Sequence, residues 1–239
     1  MIFSHNKGDN MDYKDVQNIA KETISYIKTV IAPEMKLTDV RKLCEDKMKA
    51  LGADSFWYWD VGAFVFSGDE TAVSVSGREY VTTDRLIGFN DIITIDLSPQ
   101  NNYIWGDYAR TIIIENGSVT DQISDIKNEE WRSGLLMEER LHKELIDFVT
   151  PQTPFEELYY HINDLIVRDG YVNLDFMGNL GHSIVKDKNE RVYIEKGNKM
   201  RLSSVKYFTF EPHISIPNSK YGYKNENIYY FSDNKLIEL

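Results

Sequence analysis

Five acidic and histidine positions carry the chemical interest of this chain: Asp96, Asp107, His182, Glu211 and Glu226. They sit in the phrases ITIDLS, WGDYART, NLGHSI, FTFEPH and YKNENIYYF, in that order. Four carboxylates and one imidazole form an oxygen-rich donor set. It suits two divalent ions such as Mn, Co, Fe or Zn, and differs from a thiolate-lined structural zinc site. Each residue also has an ordinary explanation: Asp107 as a turn acid beside Arg110, Glu226 as a surface acid, His182 as a capped loop histidine. For the metal reading to fail, all of these must hold at once.

The elements around them explain how distant residues could meet. In IITIDLS, period-two alternation puts Ile92, Thr94 and Asp96 on one strand face and Ile93, Ile95 and Leu97 on the other. The phrase YFTFEPHIS repeats the pattern, with Phe208 and Phe210 opposite Thr209, Glu211 and His213. Read as a strand, ENIYYF places Glu226 on the face of Ile228 and Tyr230. A carboxylate at the apolar edge of a sheet is costly unless a positive charge neutralises it, and a metal ion does so.

Helical spacing of Val16, Ile19, Ala20, Ile24, Ile27 and Ile31, then of Val40, Leu43, Cys44 and Leu51 before Gly52, predicts two opening helices. Strand-like pieces such as AFVF and AVSVS follow between Phe56 and Arg85. A third helix is expected from about Asn128 to Val149, ended by Pro151. A fourth follows, with Thr153 as N-cap, Pro154 in the first turn and Glu156 as capping-box acid. The order is two helices then strands, twice over, which suggests a pseudo-duplicated α+β architecture in one domain spanning 1–239.

The five ligand-type residues in the order D, D, H, E, E, the phrase IDLSPQNNYIWGDYART, the GH of NLGHSI and the EP of FTFEPH resemble the pita-bread metallopeptidases: methionine aminopeptidase, aminopeptidase P and prolidase. The resemblance covers nearly the whole chain. It implies the pita-bread (creatinase/aminopeptidase) fold, a curved antiparallel sheet with outer helices and two pseudo-symmetric halves. On this resemblance the chain is expected to correspond to the catalytic domain only, without the separate N-terminal domain of aminopeptidase P and prolidase. The resemblance further implies two divalent metal ions. Asp96 would chelate one, Asp107 and Glu226 would bridge both, and His182 with Glu211 would complete the other. A metal-bridging water would be the nucleophile, and Glu211 the proton acceptor and donor. A homodimer is also implied.

The departures are as specific as the matches. An accessory histidine of the family precedes the first metal aspartate, but SGREYVTTDRLIGFND has none, and Glu79 or Tyr80 occupies that region. The second follows the GH motif, where this chain reads GHSIVKDKNERV, with Asn189 and Glu190 in place of His and Glu. In the family these groups hold the scissile amide and its developing oxyanion, a contribution of several kcal/mol in hydrolytic sites. His213, two residues after Glu211, is expected to point to the same side and to replace one of them. His142 and His161 are expected at helix flanks or surfaces, and His5 in the terminal segment. Ser183 and Val185 replace glycines of the usual GHGIG phrase and narrow the corridor beside His182. Trp57, Trp59 and Trp105 are candidate walls of a substrate pocket.

Composition bounds the function. A net charge of −11 argues against a nucleic-acid backbone or an anionic membrane as the main partner. Cys44 is the only cysteine and reads as a buried thiol. The opening MIFSHNKGDNMDYK lacks an apolar signal-peptide core, so a cytoplasmic location is expected. The leading expectation is a metal-dependent hydrolase of a peptide or small amide bond, aminopeptidase- or X-Pro-peptidase-like. Alternatives are a metal-independent creatinase-like C–N hydrolase and a catalytically altered module that binds a peptide or protein.

Overall fold

Helix α1 (Tyr13–Val30) opens with a reciprocal capping box: the Asp12 carboxylate accepts from the Asp15 N–H, and the Asp15 carboxylate accepts from the Asp12 N–H, each at 3.0 Å. The computed structural model describes residues 11–239, so His5 lies outside it. Helix α1 and helix α2 (Leu37–Ala50) bury the apolar positions read from the sequence, among them Val16, Ile24, Ile27, Val40 and Cys44. Burial pushes the Cys44 thiol well above its ordinary range, as expected of a packing residue.

These helices cover an antiparallel sheet whose strands run, in spatial order, Ala63–Ser67, Asp91–Leu97, Tyr108–Glu115 and Ser118–Val119. Ile93, Ile95 and Leu97 pack in one core with Ile112, Ile114 and the faces of α1 and α2. Helices α3 (Glu129–Phe148) and α4 (Phe155–Arg168) make a second core with Phe208, Phe210 and Tyr229. The sheet beside them runs Lys235–Glu238, Asn227–Ser232, Tyr207–Phe210 and Ser183–Ile184, also antiparallel. Ile92 and Ile113 reach across into this second core. The chain thus repeats a plan of two helices and an antiparallel sheet, and Asp96 faces the space where the repeats meet.

Four local expectations are corrected. The segment after Ser67 is not a further strand: Gly68 takes a left-handed φ of +58°, and a 3-10 turn, Gly68–Ala72, leads the chain out of the sheet. Thr153 does not cap α4. Met200 O accepts from Phe155 N at 2.9 Å and Asn198 O from Glu156 N at 2.8 Å, so a neighbouring loop supplies the acceptors while Pro154 stands at the N-cap. The strand through YFTFEPHIS breaks after Phe210. Pro212 lacks the N–H to continue the ladder, and His213–Ser215 joins a different three-stranded sheet with Val172–Asn173 and Tyr223–Lys224. His142 is no flank residue; it is buried, with Nδ1 2.7 Å from the Tyr229 hydroxyl and Nε2 2.9 Å from Asn225 O. His161 does lie at a half-buried flank, stacked on Phe148 and 2.7 Å from Glu144.

Candidate metal centre

Each chemically interesting side chain is delivered by a different constraint. Asp96 lies on the predicted face of its strand, paired with Phe64 on one side and Ala109 on the other. The backbone of Asp107 is clamped by Gln17, whose Oε1 accepts from Asp107 N at 2.9 Å and whose Nε2 donates to Asp107 O at 2.7 Å. His182 follows Gly181, which has φ +137°; a Cβ there would meet Thr209 O at 2.3 Å. Only glycine lets the chain approach that strand, and the Thr209 hydroxyl then accepts from His182 N at 2.9 Å. Glu226 N donates to Ala109 O at 3.0 Å, tying the second sheet to the first.

These constraints bring all five residues together. Asp96, Asp107 and Glu226 each offer a carboxylate oxygen, and the three lie within 4.8 Å of one another. His182 Nε2 stands 3.6 Å from Asp107 Oδ2 and 3.7 Å from Glu211 Oε1. Donors sharing one transition-metal ion at about 2 Å are about 3 to 4 Å apart, and both His182 distances fall in that range. His182 Nδ1 lies 3.2 Å from Ser183 O, which leaves the Nε2 lone pair directed at the carboxylates. Glu226 is completely buried, yet neither of its carboxylate oxygens has a hydrogen-bond partner. Its one near cation is Lys224, with Nζ 3.4 Å from Oε2; a buried carboxylate without hydrogen bonds is costly unless positive charge neutralises it, and this donor set fits divalent ions.

The electrostatics follow from crowding. Burial, reinforced by Asp96 and Glu211, holds the Asp107 carboxyl well above its usual range, and Glu226 is raised by burial, Asp107 and Glu211. Burial also raises Asp96, against the opposing charge of Lys224. At Glu211 burial is outweighed by Lys224 and His182, so that carboxyl falls below its usual range. His182 is lowered to about 4, mainly by burial, and is therefore neutral near pH 7. A neutral imidazole is the form that donates to a metal.

A cavity of about 150 Å³ opens onto Asp96, Asp107, His182 and Glu211, with Glu226 behind them, and is lined also by Phe64, Phe66, Val73 and Phe176. Of the three tryptophans, only Trp57 lines it, together with Tyr58. Trp105 is buried behind Trp57 in a stack with a 4.2 Å centroid separation, and its Nε1 donates to Val185 O. Trp59, with a left-handed φ of +57°, turns outward beneath Arg78 and Lys188. His213 does line the cavity with Glu211, although strand alternation does not put it there; its Nε2 donates to Thr71 O at 2.8 Å. At the positions of the missing histidines, Asn189 and Glu190 are exposed on a 3-10 turn, and Tyr80 is used by the sheet, its hydroxyl accepting from Val65 N.

Two cavity residues were not anticipated from the sequence. Arg191 follows the exposed turn and lays its guanidinium near the faces of Trp57, Tyr58 and Tyr193, at 5.1 to 5.7 Å from the ring centroids. Lys224 enters the carboxylate cluster itself, 2.5 Å from Asp96 Oδ2. Both lie close to motifs already singled out, the NE that replaces HE and the acid of YKNENIYYF. Nothing in either phrase says that these cations point inward.

The architecture and the carboxylate–imidazole cluster define a metallopeptidase-type catalytic scaffold. Comparison by sequence identifies it further: metallopeptidase family M24 matches residues 12–233, and the chain belongs to that family. Its fold is the pita-bread fold. Similar solved structures include prolidase from Pyrococcus furiosus, with 22% identity and TM-score 0.78, and X-Pro aminopeptidase from Thermotoga maritima MSB8, with 17% and 0.77. Each match covers 95% of this chain but only 61% and 59% of those proteins, so the chain spans about three fifths of their length. Methionine aminopeptidase from Thermotoga maritima matches with 15% identity and TM-score 0.73, over 94% of this chain and 93% of that one. No curated protein matches by sequence. No described helix is long and apolar enough to cross a membrane.

Proposed function

We propose that this chain is a cytoplasmic, metal-dependent hydrolase of a peptide or small amide bond, aminopeptidase- or X-Pro-peptidase-like, with 1–239 forming one catalytic domain. One observation carries the reading: five donor side chains from separate segments converge, and the deepest of them, Glu226, is buried without a hydrogen-bond partner. Membership of family M24 supports it. In this reading Asp96, Asp107, His182, Glu211 and Glu226 would hold the divalent ions, and Mn, Co, Fe and Zn all suit these donors. Bound divalent ions would supply Lewis acidity to polarise a carbonyl and activate water.

The protein's own groups do the rest. Glu211, held ionised beside Lys224 and His182, accepts a proton and returns it to the leaving amine. His213 and Arg191 face the same cavity and stand in for the two absent histidines as donors toward a substrate carbonyl. His213 Nε2–H is engaged by Thr71 O, so His213 requires a shift of that contact to donate, whereas Arg191 has further N–H groups beyond the Nε that bonds Lys188 O. Trp57 and Tyr58 wall the substrate side chain. A second reading, a peptide-binding module without turnover, is favoured by one observation, the outward placement of Asn189 and Glu190.

The test is metal content by elemental analysis after separate loading with Mn, Co and Zn, followed by a peptide and small-amide library. The reading expects bound metal and amide hydrolysis, both lost in Asp107→Ala. Absence of specific metal binding under any loading would overturn it, and metal binding without turnover of any library member would select the binding module.

A further inference from the structure

Lys224 is rigidly presented. Its backbone is fixed on the first sheet by Thr111, whose hydroxyl accepts from Lys224 N at 2.9 Å and donates to Lys224 O at 3.0 Å. From there the side chain, only 17% exposed, carries Nζ to 2.5 Å from Asp96 Oδ2, 3.1 Å from Glu211 Oε2 and 3.4 Å from Glu226 Oε2. One ammonium therefore faces three of the four carboxylates, each through a single oxygen. On the His182 side it meets only the second oxygen of Glu211, Oε2: His182 Nε2, Asp107 Oδ2 and Glu211 Oε1 form the other grouping, with no contact to the ammonium.

The two groupings are thus unequal. On the Asp96 side, a divalent ion must share its carboxylate oxygens with a fixed positive charge or expel it from an enclosed position. On the His182 side, His182 Nε2 lies 3.6 Å from Asp107 Oδ2 and 3.7 Å from Glu211 Oε1, and Lys224 reaches only the remaining oxygen of Glu211. We propose that Lys224 replaces one of the two divalent ions, so that this chain binds a single ion tightly at Asp107, His182 and Glu211 while the Lys224 ammonium carries the second positive charge beside Asp96. This rests on the metal-centre reading given above and deepens it. A compact point charge on a flexible stem can occupy an ion's place.

The experiment is binding of Mn²⁺ to the full chain, measured by equilibrium dialysis, with electron paramagnetic resonance of the bound ion as a second readout. Wild type is expected to take up one ion with the signal of an isolated Mn²⁺, a second binding at least about 100-fold more weakly. Lys224→Met, which removes the charge and keeps the stem, is expected to bind two ions with a spin-coupled signal. Lys224→Arg is expected to stay at one. Two ions of comparable affinity in wild type would overturn the proposal and leave the hydrolase reading standing, and this outcome does not depend on any variant folding. A Lys224→Met protein that folds and still binds one ion would overturn it equally. If wild type binds no ion and Asp107→Ala behaves identically, the hydrolase reading falls with it.

Discussion

His182 Nε2 and Asp107 Oδ2 stand 3.6 Å apart in a buried setting, close enough to share an ion and too far apart to bond directly. Both titrate away from their ordinary ranges. Burial lowers the imidazole to about 4 and, with Asp96 and Glu211, raises the carboxyl well above its usual range. The pair is arranged for something that is neither of them, and the other consequences of the site can be read from that arrangement.

Metal binding should stabilise the protein more as pH rises. Asp107 and Glu226 have raised values, so in the metal-free protein their contribution to stability is present below the unfolded carboxylate range, about pH 4, and is lost as pH rises through the folded values. An ion offsets that loss and expels the protons. At ion concentrations about 100 times the dissociation constant the gain is about 2.7 kcal/mol, or a rise of about 5 °C or more in Tm. Thermal melts with Mn²⁺ and with EDTA should diverge from pH 5 to pH 8; curves that stay parallel would contradict this.

Gly181→Ala should damage the centre without altering a ligand. The new methyl group would meet Thr209 O at 2.3 Å while φ is +137°. A stability loss of about 2 kcal/mol or more is expected, with displaced His182 and weaker metal binding. Gly178→Ala is the control, since a Cβ there meets nothing within 4 Å and only its φ of +75° is unfavourable. Equal urea midpoints and equal metal affinity for the two variants would contradict the argument.

His142 should make the fold acid-sensitive. Burial lowers it from 6.5 to about 3, and its neutral ring links α3 to Tyr229 and to the Asn225 carbonyl. A depressed folded value means stability is complete above the unfolded pKa near 6.5 and is lost as pH falls through the folded one, near 3. Denaturation midpoints of wild type should fall across that window by a few kcal/mol in free energy. His142→Gln should be less stable at pH 7 but show a shallower slope, which guanidinium melts at several pH values would measure.

Arg191→Met should lower kcat/KM on any substrate found by about 100-fold, with metal content unchanged, if its guanidinium faces the reacting carbonyl. Arg191→Lys should recover part of the loss. His213→Ala tests the neighbouring position, and unchanged turnover there would leave Arg191 as the only one of these two donors in use.

Much of this was legible in the sequence, because the strongest signals were periodic. Alternation in IITIDLS assigned Ile93, Ile95 and Leu97 to a core and Thr94 and Asp96 to the opposite face, and the structure packs the first three with α1 and α2 and opens the other two onto the cavity. Helical spacing located α1 and α3 for the same reason. The failures lie where a distant segment decides. Thr153 lost its capping role to carbonyls of the 198–201 loop, and YFTFEPHIS was cut by the missing N–H of Pro212. Trp59 could not be separated from Trp57 by composition, since only the backbone turn at Trp59 aims one indole out and the other in. Lys224 was hidden because its inward path depends on Thr111, more than a hundred residues earlier.

Asp96 and Asp107 come from the half built on α1 and α2, whereas His182, Glu211 and Glu226 come from the half built on α3 and α4. An ion held there would act as a rivet between the two halves, and its affinity would contain the work of docking them. Any substitution at the seam, even one remote from the ligands, will register as a change in metal affinity. A chain severed at the Asn116-Gly117 turn, where Asn116 is exposed, gives that idea its sharpest form: its two pieces should associate more tightly when Mn²⁺ is present.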